Sequence, residues 1–167
     1  MPNATKSTQA ARRQLAAALR AQQKRAATSS PSRPSPPWHN ATWMNCGIYD
    51  QPVPSERAVH NLEHGAVWIT YQPSLPQSEV SQLRAFADKQ TMVPSAGGAP
   101  ASRYMDLTPY PGLPSPIVIS SWGYQLRVSS PADPRLQQFA NKFRASPAYT
   151  PEYGGACTGG AGTPQQT

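Results

Sequence analysis

The chain has 167 residues, room for one domain of roughly 100 to 150 residues plus tails. Its 20 prolines and 11 glycines predict a small core wrapped in irregular chain, and no run of about 18 apolar residues is present to span a membrane. The net charge of +7 belongs to the first 49 residues, which hold Lys6, Arg12, Arg13, Arg20, Lys24, Arg25 and Arg33 and no acid; beyond them eight basic residues balance eight acidic ones.

The first 33 residues read as a basic arm with its linker. ARRQLAAALRAQQKRAA has high helix propensity, but beyond Leu15 and Leu19 its apolar positions are mostly alanine. Arg20, Lys24 and Arg25 interrupt what a signal peptide would need as its apolar centre, and no adequate apolar run follows Arg12-Arg13 for a twin-arginine signal. The arm is expected to be a solvated, partly helical tether, or a docking segment for an acidic protein or lipid surface. Nucleic-acid binding is not expected, because no aromatic residues are interleaved with the basic ones. SSPSRPSPP, residues 29–37, is an extended linker.

The folded part is placed at residues 34–150. Trp38, Trp43 and Tyr49 are expected to pack on the core from a loop-rich opening layer, each by simple burial. A short helical turn follows over His60–His64, stopped at Gly65, which reaches the left-handed conformation without a side-chain penalty. Val67–Tyr71, all β-branched or aromatic, reads as a buried strand. Ser74-Leu-Pro-Gln77 matches a capping box opening a helix that runs to about Gln90 on Val80, Leu83 and Ala87. Residues 91–103 read as loop, Tyr104–Leu107 as a short strand, and PYPGLPSP as a rigid turn. Ile117–Ser121 and Tyr124–Val128 read as two strands meeting near Gly123. A last helix starts at Ser130-Pro-Ala-Asp133, with Leu136, Phe139, Ala140 and Phe143 on one face. The order predicts one small α+β sandwich with long Pro-rich loops, helices covering one side of a mainly antiparallel sheet. Residues 151–167 form a glycine-rich tail, expected to be disordered unless Cys157 holds it. A Cys46–Cys157 disulfide would close a long loop, stabilise by about 4 to 5 kcal/mol and require an oxidising compartment; two unrelated thiols are the alternative.

His60 and His64 are four apart and share a helical face, with Glu63 beside them. One isolated histidine is more often a satisfied core residue than a ligand. Here the chain has three histidines, two of them share a face, and His39 precedes a loop that could fold over them. His39, His60 and His64 are therefore the predicted metal ligands, three imidazoles that leave a position open. Copper is expected, with zinc the alternative, because copper binds nitrogen sites more tightly along the Irving–Williams order. Met44 and Met105 are available as soft additional ligands, although ordinary packing explains them equally well.

HNATWMNCGIYDQPVPSERAVHNLEHGAVWITY, with PYPGLPSPIVISSWG further on, resembles a bacterial family known as domain of unknown function 3105. The likeness covers about residues 34–145, and all three histidines fall on its motif positions. The resemblance implies an exported or membrane-anchored protein, in which a basic segment often precedes a single transmembrane helix; this sequence has the basic segment without the span. Met44 and Cys46 depart from the residues the pattern leads one to expect. The family name implies no activity, so function has to come from the site.

The predicted function is an exported, cell-envelope or periplasmic copper-binding domain, leaning to a copper-only superoxide dismutase. Superoxide needs little more than an open ligand position and an approach path. A non-enzymatic metal-binding or structural subunit of an envelope complex is the first alternative. A zinc hydrolase is the second, since His60-Asn-Leu-Glu63-His64 matches H-x-x-E-H, with Glu63 as base and Glu152 as a further ligand. Two features count against it: the helix leaves hardly more than one turn before Gly65, and Glu152 falls in the tail.

Overall fold

Val67–Tyr71 (β1) lies between two strands of opposite direction, and all five of its residues are buried. The molecule is described by a computed structural model over residues 40–90 and 103–165. The basic arm, His39, the Trp38 expected in the opening layer and the loop over residues 91–102 lie outside the described residues.

Among the described residues, three helices and four strands follow in the order α1 (Ser55–His64), β1, α2 (Gln77–Asp88), β2 (Met105–Pro109), β3 (Ile117–Ser121), β4 (Tyr124–Val128) and α3 (Arg135–Phe143). The sheet order is β2-β1-β3-β4. β1 pairs parallel with β2, Ile69 opposite Leu107, and antiparallel with β3, Ile69 opposite Ile119. β3 and β4 pair antiparallel across the Trp122-Gly123 turn. Two of the three pairings are antiparallel, and the fold is a small α+β fold with a mixed, open sheet.

The two-residue alternation of a strand separates the two faces. Val67, Ile69 and Tyr71 of β1 enter a large core with Leu83 and Ala87 of α2 and Leu136, Phe139 and Phe143 of α3. Trp68 points into a second cluster with Ala58 and Leu62 of α1, Met44 and Tyr49. The helices therefore cover both faces: α2 and α3 fill one, and α1 caps the other. Each large apolar side chain in these clusters contributes roughly 1.5–3 kcal/mol by burial.

The helix starts differ from the sequence expectation. α2 begins at Gln77 after Pro76 with no side-chain cap, and the Ser74 hydroxyl meets only Gln72 Oε1 at 3.5 Å. α3 begins at Arg135, whose backbone N–H donates to Asp133 Oδ1 at 2.9 Å, so Asp133 serves its first turn. β2 runs to Pro109, two residues past Leu107, because Thr108 and Pro109 stay in register with Thr70 and Tyr71.

The outer edge of β2 is covered rather than exposed. Tyr49 N–H donates to Leu107 O at 2.8 Å and Leu107 N–H to Gly47 O at 3.0 Å, so the segment before α1 acts as a partial fifth strand. Gln165 N–H donates to Ile48 O at 2.8 Å, which lays the C-terminal segment outside it. Pairing of this kind removes an edge that would otherwise template association.

Candidate metal centre

The histidine helix is longer than one turn. α1 runs for ten residues from Ser55, with Glu56 in its first turn favourably placed at the positive end of the helix dipole. Gly65 ends it at φ 106°, and its N–H reaches back to Leu62 O while Ala66 N–H reaches Asn61 O. The left-handed residue lets the chain turn directly into β1, which anchors the last turn of α1 on the core.

His60 and His64 stand side by side on that turn, 6% and 5% exposed, with ring centroids 4.5 Å apart. Each ring is aimed by a backbone carbonyl. His60 Nδ1 lies 2.7 Å from Asn40 O, and His64 Nδ1 lies 2.6 Å from Ala156 O. A carbonyl oxygen only accepts, so both Nδ1 atoms carry the proton and donate. In a neutral ring the lone pair then sits on Nε2.

Glu152 completes the group. Its Oε2 lies 3.4 Å from His64 Nε2, and one ligand atom from each of His60, His64 and Glu152 falls within 4.8 Å of the others. With Nδ1 already donating, a neutral His64 would set an imidazole lone pair against a carboxylate oxygen. Two acceptors face each other stably only with a cation or a proton between them. A proton on the His64 ring alone would make this contact an ion pair, whereas protonating both rings would place two positive charges 4.5 Å apart. One metal ion would be within reach of both rings and the carboxylate, and a carbonyl behind each imidazole is the usual outer support of a histidine ligand. Two imidazoles and a carboxylate fit a first-row transition metal.

The segment holding Glu152 is laced to the rest. Glu152 N–H donates to Glu63 O at 2.9 Å and Tyr104 Oη to Gly155 O at 2.9 Å. Gly155 lies against the His64 ring so closely that a Cβ there would stand 2.5 Å from Cδ2. Trp43 leans over both imidazoles, centroids at 5.8 Å from His60 and 5.4 Å from His64, and its Nε1–H donates to Thr158 O at 3.1 Å. Its role is therefore more than burial, because it walls the site.

Beneath the site, Asn61 links the layers. Its Nδ2 donates to Asp106 Oδ2 at 2.9 Å and its Oδ1 accepts from Met44 N–H at 3.1 Å. Asp106 is fully buried, and loss of solvation pushes its carboxyl up to about 7 despite the hydrogen bonds from Asn61 and Gly47. Burial, with Asp106 nearby, also raises the Tyr49 phenol.

Of the predicted ligands, His60 and His64 are brought together, whereas His39 lies outside the described residues; Asn40, which follows it, is held beside His60. Met105 sits in the large core and Met44 in the cluster around Trp68, so both are apolar packing groups. Cys46 and Cys157 form a disulfide with Cα atoms 5.2 Å apart, and it is the link expected to order the glycine-rich segment. Sequence reasoning reached Glu152 only through the hydrolase motif and missed the two aiming carbonyls, since backbone acceptors leave no residue-type signal. The paired glycines beside Cys157 were the available hint of a close approach.

No curated protein and no solved structure matches the chain. The family described as "Protein of unknown function (DUF3105)" matches residues 20–159, a span that takes in the histidine helix, the sheet and the Glu152–Cys157 segment. The chain belongs to the DUF3105 family.

Proposed function

We propose that the chain is an extracytoplasmic metal-binding domain holding one copper ion through His60, His64 and Glu152, with His39 as a further imidazole. The observation that carries this reading is the 3.4 Å approach of Glu152 to a His64 nitrogen whose ring partner already donates to Ala156. Copper is favoured over zinc by its tighter binding to imidazole nitrogen. The Cys46–Cys157 disulfide supports an oxidising compartment. The basic arm suits an acidic protein or lipid surface of the cell envelope.

Bound copper would supply a one-electron couple able to disproportionate superoxide into dioxygen and hydrogen peroxide. The protein's part is to aim both rings, to keep one side open where Glu152 is 60% exposed, and to wall the other with Trp43. Metal content is the first test. Protein equilibrated with copper or zinc and then desalted should retain about one ion per chain, and His60→Ala, His64→Ala and Glu152→Ala should each lower occupancy. Stoichiometric metal in a variant lacking His39, His60 and His64 would end the proposal. Superoxide consumption no faster than that of chelated copper would make the domain a binder rather than a dismutase.

A zinc hydrolase is the second reading, and particular observations favour it. α1 has ten residues, and Glu152 is at His64 rather than in a loose tail. Pro151, next to Glu152, lines an open depression of about 470 Å³ with Trp122, Tyr124 and Tyr149. In a hydrolase, Glu63→Gln would abolish turnover with metal retained, because it removes the general base. In a dismutase it would only tune rate or affinity.

A further inference from the structure

Between Pro151 and Gln165, Cys157 is the one buried residue. The segment reaches the body through hydrogen bonds, from backbone and from side chains such as Trp43, Asn45 and Tyr104, and through the disulfide to Cys46, which spans 111 residues of sequence. Two parts of the metal site ride on this segment: the Glu152 carboxylate and the Ala156 carbonyl that aims His64. Ala156 is the residue immediately before Cys157. Cys46 N–H donates to Cys157 O at 2.8 Å, and Cys46 Sγ is 3.5 Å from the side-chain amide of Asn61, the residue after His60. The bridge therefore joins the segment that supplies Glu152 to the helix that supplies the histidines.

We infer that the Cys46–Cys157 disulfide is a redox gate on the metal site: oxidised, it holds Glu152 and the Ala156 carbonyl on His64, and reduced, it releases them and the ion. The inference rests on the reading that His60, His64 and Glu152 hold metal. Cys46 is half-buried whereas Cys157 is 1% exposed, so Cys46 is the more accessible residue of the pair, and the attack is assigned to it. A thiolate of an incoming dithiol attacks Cys46 Sγ, and Cys157 leaves as a thiolate and takes a proton. The second thiolate of the dithiol then closes its own disulfide and expels Cys46, which takes the other proton. Two electrons and two protons pass to the protein, and the dithiol is oxidised. Without the bridge, glycine-rich chain with one buried side chain has little apolar burial to hold it, whereas α1 stays packed through Ala58 and Leu62.

The test uses the full chain, with affinity read by chelator competition. Zinc(II), which does not oxidise thiols, is used with the oxidised protein and with protein reduced by a dithiol and desalted anaerobically. Zinc(II) or copper(II) is used with the oxidised protein and with a Cys46→Ser/Cys157→Ser variant whose lack of thiols prevents new metal ligation. Affinity should fall about 10- to 100-fold in both bridgeless forms and return on reoxidation of the wild type. Glu152→Gln should weaken binding in the oxidised protein by about tenfold or more and leave the bridgeless variant unchanged, because its carboxylate has already left. Equal affinity with and without the bridge overturns the gate while leaving the metal site standing. No binding by the oxidised protein overturns the metal site itself. Loss of the near-ultraviolet circular dichroism together with the metal shows a global staple and also overturns the gate.

Discussion

His64 is held from three directions: Ala156 O accepts from its Nδ1, Glu152 faces its Nε2, and Gly155 lies close against the ring. Gly155→Ala would place a methyl 2.5 Å from the imidazole, so the segment must back away. The expected outcome is at least about a tenfold loss of metal affinity with the core intact, read by the same chelator competition. Asp106 gives the second prediction at this scale. Its carboxyl is raised from 3.8 to about 7, so burial favours the neutral form. The stability this contributes is complete below pH 4 and is lost as pH rises through 7. With about 1.4 kcal/mol per pH unit over roughly three units, the ceiling is about 4 kcal/mol. Urea unfolding of metal-free protein should show a higher midpoint at pH 5 than at pH 8, and Asp106→Asn should flatten that difference. An unchanged slope in the variant would assign the pH dependence elsewhere.

α1 connects the site to the core. Ala58 and Leu62 pack against Trp68 and Met44 on one side, while His60 and His64 lie buried beside Trp43. Leu62→Ala should cost about 2–5 kcal/mol, seen as a lower thermal or urea midpoint, because β1 and the 44–49 segment cannot close fully on the cavity. Much of the element pattern was legible in sequence. Val67–Tyr71 is β-branched and aromatic throughout, and the spacing of Leu136, Phe139, Ala140 and Phe143 marks α3 without ambiguity. The start of α1 was not legible. Ser55-Glu-Arg-Ala carries no side-chain cap, and Pro54 precedes it as ordinary loop chain, so the local signal began only at the histidines. The opposite placement of α1 was equally hidden, since the alternation of β1 shows two buried faces without saying which helix takes each.

Over the whole molecule, stability and charge are carried by separate parts. The disulfide joins the opening loop to the C-terminal segment across 111 residues. Its removal should lower stability by roughly 2–5 kcal/mol, measured by urea unfolding of Cys46→Ser/Cys157→Ser against the oxidised chain. All the net charge lies before Asp50, so deleting residues 1–33 should leave the folded body unchanged and abolish salt-sensitive retention on acidic vesicles. Retention that survives the deletion would place the binding surface on the body. No helix among the described residues is long and apolar enough to cross a membrane. By itself the sequence determined the α+β class, the strands, the pairing of His60 and His64 on one turn, and family membership, because these depend on local periodicity, short spacing and motif. Only the tertiary structure decided that α1 takes the second face, that Met44 and Met105 are packing groups, and that residues 152–157 close the site. The first two depend on which core each buried side chain enters, and the last on contacts about 90 to 115 positions apart, which leave no period in the chain, and on backbone carbonyls, which every residue possesses and no residue type reveals.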